Sequence, residues 1–64
     1  DQAAAAGLLT LLRDSSPTVR ASAAWALGEL EHKAAINPLA ELLERDQSAR
    51  VRRAAARALG QIAG

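Results

Sequence analysis

One fifteen-residue stretch of this chain is written twice. Asp14-Ser15-Ser16-Pro17-Thr18-Val19-Arg20-Ala21-Ser22-Ala23-Ala24-Trp25-Ala26-Leu27-Gly28 returns, thirty-two residues later, as Asp46-Gln47-Ser48-Ala49-Arg50-Val51-Arg52-Arg53-Ala54-Ala55-Ala56-Arg57-Ala58-Leu59-Gly60. Nine positions agree: Asp14/Asp46, Ser16/Ser48, Val19/Val51, Arg20/Arg52, Ala23/Ala55, Ala24/Ala56, Ala26/Ala58, Leu27/Leu59 and Gly28/Gly60. Self-similarity at a fixed period of roughly 20–50 residues marks a solenoid repeat, whose units bury their faces by stacking on neighbours.

Size makes that stacking necessary. Sixty-four residues form one small domain, and a domain of this size buries only about 60% of its unfolded surface. Balancing apolar burial against chain entropy leaves almost nothing over. The usual staples are missing: there is no Cys for a disulfide, and His32 is the only histidine, too little for a metal cage. Packing at the ends of the domain, or self-association, must therefore matter.

Half of the residues are hydrophobic, yet Trp25 is the only aromatic. The apolar content is mostly Ala and Leu, which favours helix over strand. No apolar run approaches the length of about 18 residues that a membrane span requires. Ala3 to Leu12 is apolar but has no basic leader, so it does not read as a signal peptide. The absence of Cys suits a reducing compartment, and the expected location is the cytoplasm. The chain does not begin with Met, and both of its ends fall at repeat boundaries. It reads as a piece of a longer array or as a unit that stacks on copies of itself.

The net charge of +1 hides an asymmetry. Residues 1–32 set Arg13 and Arg20 against Asp1, Asp14, Glu29 and Glu31. Residues 33–64 set Lys33, Arg45, Arg50, Arg52, Arg53 and Arg57 against Glu41, Glu44 and Asp46. The first half is acidic and the second basic, with the excess gathered on the last helix.

Periodicity predicts four helices. The first covers about 3–13, with Ala4, Leu8, Leu11 and Leu12 on its inner face and Leu9 off it. Asp14 to Pro17 ends it and starts the second, with Ser16 as N-cap and Pro17 at the first helical position. The second helix runs to Leu30 on a stripe of Val19, Ala23, Ala26, Leu27 and Leu30. Gly28, inside it, implies close approach of a neighbouring backbone. The third helix covers about 33–45 and repeats the first in a register of thirty-one: Leu8/Leu39, Leu11/Leu42, Leu12/Leu43. Pro38 predicts a bend or a loosened first turn there. The fourth runs from Ala49 to Ala63, capped by Ser48, on a stripe of Val51, Ala55, Ala58, Leu59 and Ile62. The expected fold is all-α: two stacked helical hairpins forming a single domain over 1–64, with repeats at about 1–31 and 32–64.

The skeleton Asp-x-x-x-x-Val-Arg-x-x-Ala-x-x-Ala-Leu-Gly, twice, each time preceded by Leu-x-x-Leu-Leu, resembles the short HEAT-like repeats of the phycobilisome-lyase type. Ala35-Ile36-Asn37-Pro38-Leu39 is similar to the first helix of that family, with its internal proline. Gly7 stands where Pro38 would lead one to expect proline. The resemblance implies an α-solenoid fragment. It also implies that Asp14, Arg20, Asp46 and Arg52 form a structural ladder between inter-helix turns, and that the second helix of each hairpin lines a concave binding surface.

No constellation for catalysis stands out. There is no Ser/His/acid, Cys/His or phosphate-loop pattern. Glu29 and Glu31 lie two residues apart and so leave a helix on different sides. The informative positions are those off the core stripes. Thr18, Ser22, Trp25 and Glu29 on the second helix, and Arg50, Arg53, Arg57 and Gln61 on the fourth, are expected to form a partner-binding face. These positions differ between the repeats while the core positions agree, and Trp25 is expected within reach of Arg57 or Arg53.

The expected function is a non-enzymatic helical-repeat scaffold that binds a protein, an acidic one matching the Arg residues, without cofactor or metal. Trp and Arg are enriched at binding hot spots. The plain alternative for the Arg stripe is a solvated helix face. Two other readings stand beside the scaffold. One is a fragment of a bilin lyase or isomerase subunit, implied by the resemblance alone. The other is a nucleic-acid-binding unit, for which one aromatic and a charge of +1 are thin support. A homo-oligomer formed by stacking is also expected, because no polar cap closes either end. No membrane partner is expected.

Overall fold

The computed structural model describes residues 2–64. Asp1, where the expected first repeat begins, lies outside them. The elements are α1 (Gln2–Leu11), α2 (Pro17–Glu29), a 3₁₀ turn (Lys33–Ala35), α3 (Ile36–Arg45) and α4 (Ala49–Ala63). No strand occurs among the described residues, and none of the helices is long and apolar enough to cross a membrane.

The helix starts follow from their caps. The Ser16 hydroxyl accepts the Val19 N–H at 3.3 Å, and Ser48 accepts that of Val51 at 3.4 Å. Each serine thereby satisfies one of the free donors at a helix N-terminus. Pro17 occupies the first turn of α2. The loosened start expected near Pro38 is the 3₁₀ turn, after which α3 begins afresh at Ile36. Pro38 thus falls in the first turn of α3, where its missing N–H would have no helical partner anyway.

α2 ends within one residue of the expected Leu30, and the backbone sets how it ends. Glu31 adopts φ 52°, the left-handed region. His32 N–H reaches the Leu27 carbonyl at 3.2 Å, and Glu31 N–H reaches that of Gly28 at 3.1 Å. This crossed pair is a Schellman ending, a position usually held by glycine. Glutamate carries no sequence signal for it.

α2 and α4 share the largest interface, and α3 packs on α4. Leu27, Leu39 and Val51 are the largest fully buried side chains. Gly28 makes the approach of α4 possible. A Cβ added there would lie 2.7 Å from the Ala58 Cα and 2.7 Å from the Gln61 Oε1.

Several expected core positions are corrected. Ala5, not Ala4, is the buried alanine of α1, and Leu9 packs against the core instead of lying off it. Leu11 and Leu30 are exposed, while Val19, Ala26 and Leu59 are only half-buried. Leu11, Val19, Ala26, Leu30 and Leu59 sit on the expected helical stripes, but among the described residues no further repeat covers them.

Two stability predictions follow from this packing. Val51→Ala should cost about 1–3 kcal/mol through the cavity it leaves, whereas Val19→Ala in the equivalent position should cost clearly less. Equal losses in urea unfolding would contradict the one-sided burial. Glu31→Gly should raise stability by about 0.5–1 kcal/mol by relieving the left-handed residue, read as a higher melting temperature.

Candidate interaction surface

Two side-chain networks bridge the repeats, one at each end of the α2–α4 seam. The first lies at the helix starts. Arg20 Nε donates to Asp46 Oδ1 at 2.8 Å and Arg20 Nη2 to Asp46 Oδ2 at 3.2 Å. Arg20 Nη1 donates to the Asp14 and Ser15 carbonyls at 2.8 and 3.1 Å. The guanidinium therefore stitches the turn of repeat one to the carboxylate of repeat two. The Asp46 Oδ2 also accepts the Ser48 N–H at 2.9 Å. This second contact orients the carboxylate and begins α4. The Arg20 hydrogen bonds, with the Ser48 N–H, hold the Asp46 carboxyl below its ordinary pKa against the opposing effect of burial.

Arg52 repeats half of this pattern. Its Nη1 donates to the Asp46 and Gln47 carbonyls at 2.7 and 3.2 Å. Asp14 likewise accepts the Ser16 N–H at 2.9 Å. The ladder therefore runs between turns, with Arg20 paired to Asp46. Neither Asp14 with Arg20 nor Asp46 with Arg52 meets through both side chains.

The second network lies on the exposed ridge of α2 and α4. Trp25 is 48% exposed. The Arg57 guanidinium carbon stands 4.4 Å from the indole centroid, a cation–π contact. Arg57 Nη2 donates to Glu29 Oε2 at 3.0 Å, Arg57 Nη1 to Gln61 Oε1 at 2.9 Å, and Gln61 Nε2 to Glu29 Oε2 at 2.9 Å. Three side chains thus close a ring of hydrogen bonds beside the indole. The hydrogen bonds from Gln61 and then Arg57 lower the Glu29 pKa. Gly28 contributes here as well, since a Cβ at that position would strike the Gln61 amide oxygen.

The remaining expected residues divide. Arg50 Nη1 lies 3.4 Å from the Thr18 hydroxyl, so this pair also bridges the helices. Ser22 is exposed on the same ridge. Arg53 stands apart from Trp25: it lines a cleft of about 250 Å³ with Leu43, Ala49, Arg52 and Ala56. The reason is angular. Arg53 is the counterpart of Ala21, which α2 buries, so Arg53 leaves α4 on the side turned away from α2.

Sequence reasoning did not point to a second cleft of about 460 Å³, lined by Leu12, Arg13, Asp14, Arg20, Pro38, Glu41 and Leu42. No single-helix pattern places Glu41 and Pro38 near Arg13. Among the described residues, no group of three or more His, Cys, Asp and Glu side chains could hold a metal ion.

A family model for HEAT repeats matches residues 5–64. No curated protein and no solved structure gives a significant match.

The Arg20–Asp46 clamp carries a pH prediction. Because the folded-state pKa of Asp46 is depressed, its contribution is present above the ordinary carboxylate value of about 3.9 and is lost as pH falls through the folded value. Glu29 acts in the same direction, so the informative quantity is a difference between proteins. Asp46→Asn should lower stability near neutral pH by about 1–3 kcal/mol and lessen the loss on acidification. Parallel acid-unfolding curves for the two proteins would contradict the clamp.

Proposed function

Because the chain belongs to the HEAT-repeat family, whose repeats commonly serve as protein-interaction scaffolds, we propose that it is a non-enzymatic scaffold that binds a protein through the exposed ridge of α2 and α4. One observation carries the reading. A half-exposed indole is held in one place by Arg57, and Arg57 is itself held by Glu29 and Gln61. An ordered Trp–Arg patch meets a partner with little further loss of side-chain freedom.

The charge of the ridge favours an acidic partner. Glu29 already answers Arg57, while Arg50 makes only a neutral hydrogen bond with Thr18. Arg50 is thus the cation on this ridge left to meet a carboxylate, with Thr18 and Ser22 beside it as neutral hydrogen-bonding groups. Arg53, on another side of α4, contributes to the basic field but not to the indole patch. Within the family, the thirty-two-residue spacing of Asp14 and Asp46 supports the short phycobilisome-lyase type. A cytoplasmic setting suits a chain without Cys.

Selection of peptides from a random display library tests the reading. Enriched peptides should carry Asp or Glu near an aromatic or aliphatic anchor and should shift the Trp25 emission to the blue. Trp25→Ala should weaken their binding by about tenfold or more with unchanged helicity. Peptides that bind Trp25→Ala as well as the original chain would place the binding surface elsewhere.

A further inference from the structure

The two end faces of the described stack match the two halves of its own internal seam. Sequence equivalence pairs each buried seam residue with a counterpart at an end. On the repeat-one side, Leu12, Ala21, Ala24, Leu27 and Gly28 are buried. Their counterparts Leu43, Arg53, Ala56, Leu59 and Gly60, at the C-terminal end, are exposed or half-buried. On the repeat-two side, Leu39, Val51, Ala58 and Ile62 are buried, while Leu8, Val19, Ala26 and Leu30, at the N-terminal end, are not. The contrast is large: Leu12 is 2% exposed against 38% for Leu43, and Ile62 6% against 50% for Leu30.

The polar groups show the same division. Arg20 uses one edge of its guanidinium on its own turn and the other on Asp46. Arg52 makes the same turn contacts, but its Nε and Nη2 have no partner among the described residues. Asp14 holds its Ser16 N–H as Asp46 holds that of Ser48, but no cation pairs with it among the described residues. One end therefore presents a positioned Arg and the other a positioned Asp. The cleft of about 250 Å³ beside Arg52 is the open counterpart of the place where Asp46 meets Arg20. The glycines agree. Gly28 receives Ala58 at closest approach, whereas a Cβ at Gly60 would meet nothing within 4 Å.

We propose that the chain stacks head to tail on further copies of itself, with Asp14 of one copy entering the Arg52 cleft of another and Ala26 seating on Gly60. The two surfaces differ, so the contact is heterologous and propagates instead of ending at a dimer. Arg53 stands where the internal seam has the buried Ala21. Its stem lies along the apolar surface while its head reaches water, which leaves the intermolecular seam weaker than the internal one. Trp25 meets Arg57 across the internal seam, so the ridge continues across the intermolecular one, and Asp14→Asn, at the opposite end of the helices, separates self-stacking from partner binding.

Sedimentation velocity from micromolar to millimolar concentration, on the chain and two variants, tests this. The average mass should rise with concentration beyond that of a dimer. Gly60→Ala places its methyl in open space in the isolated chain and removes helix-weakening freedom, so its melting temperature should not fall. In the stack the same methyl would strike Ala26 of the next copy and weaken association by roughly tenfold or more. Asp14→Asn keeps an acceptor for the Ser16 N–H but loses the charge, and it too should weaken association. The proposal is overturned by a mass that stops at a dimer, or by either variant associating as well as the original. A chain that stays monomeric throughout also overturns it, and its ends would then be covered by repeats of a longer protein or by a different partner.

Discussion

The contact between Gly28 and Ala58 governs this molecule. Helices normally pack at about 8–10 Å, and the distance is set by the side chains between them. With no Cβ on one side and a methyl on the other, α2 and α4 approach until Leu27 and Val51 are sealed from water. Burial of such side chains contributes roughly 1.5–3 kcal/mol each. In a chain with no disulfide and no metal site among its described residues, that seam is the main source of stability.

The seam also positions both side-chain networks. Arg20 reaches Asp46 only because the two turns lie side by side. Arg57 reaches Trp25 and Glu29 only because the helices run in register thirty-two residues apart. Exposed ion pairs such as Arg57–Glu29 add little stability singly. Their effect here is geometric: they hold an indole and its neighbours in one arrangement on a ridge that α2 and α4 build jointly.

A two-repeat solenoid has one internal interface, and its stability is close to the sum of repeat and interface contributions. Every side chain that would face a third repeat is left partly wet. Leu11, Leu30 and Leu43 are exposed for this reason, although each lies on the stripe its helix pattern assigns. Arg52 and Asp14, each already held by its own turn, are left in the same way.

Much was legible from the residues alone because it is local or periodic. The doubled motif set the number of repeats and the all-α class. Ser16, Ser48 and Pro17 marked helix starts through bonds within one turn of chain. Gly28 announced a close approach, and the variable ridge positions brought Trp25 and Arg57 together on paper. Tertiary structure decided what periodicity cannot: which of two equivalent residues is covered. Gly28 and Gly60 are the same letter in the same motif, as are Val19 and Val51, yet one of each pair is packed and the other is not. The difference lies in whether a neighbouring repeat is present, a property of the stack and not of the motif. The same limit applies to Arg53, which shares a helix with Arg57 but leaves it on the far side, and to Glu31, whose left-handed backbone is imposed by the chain's turn toward Lys33.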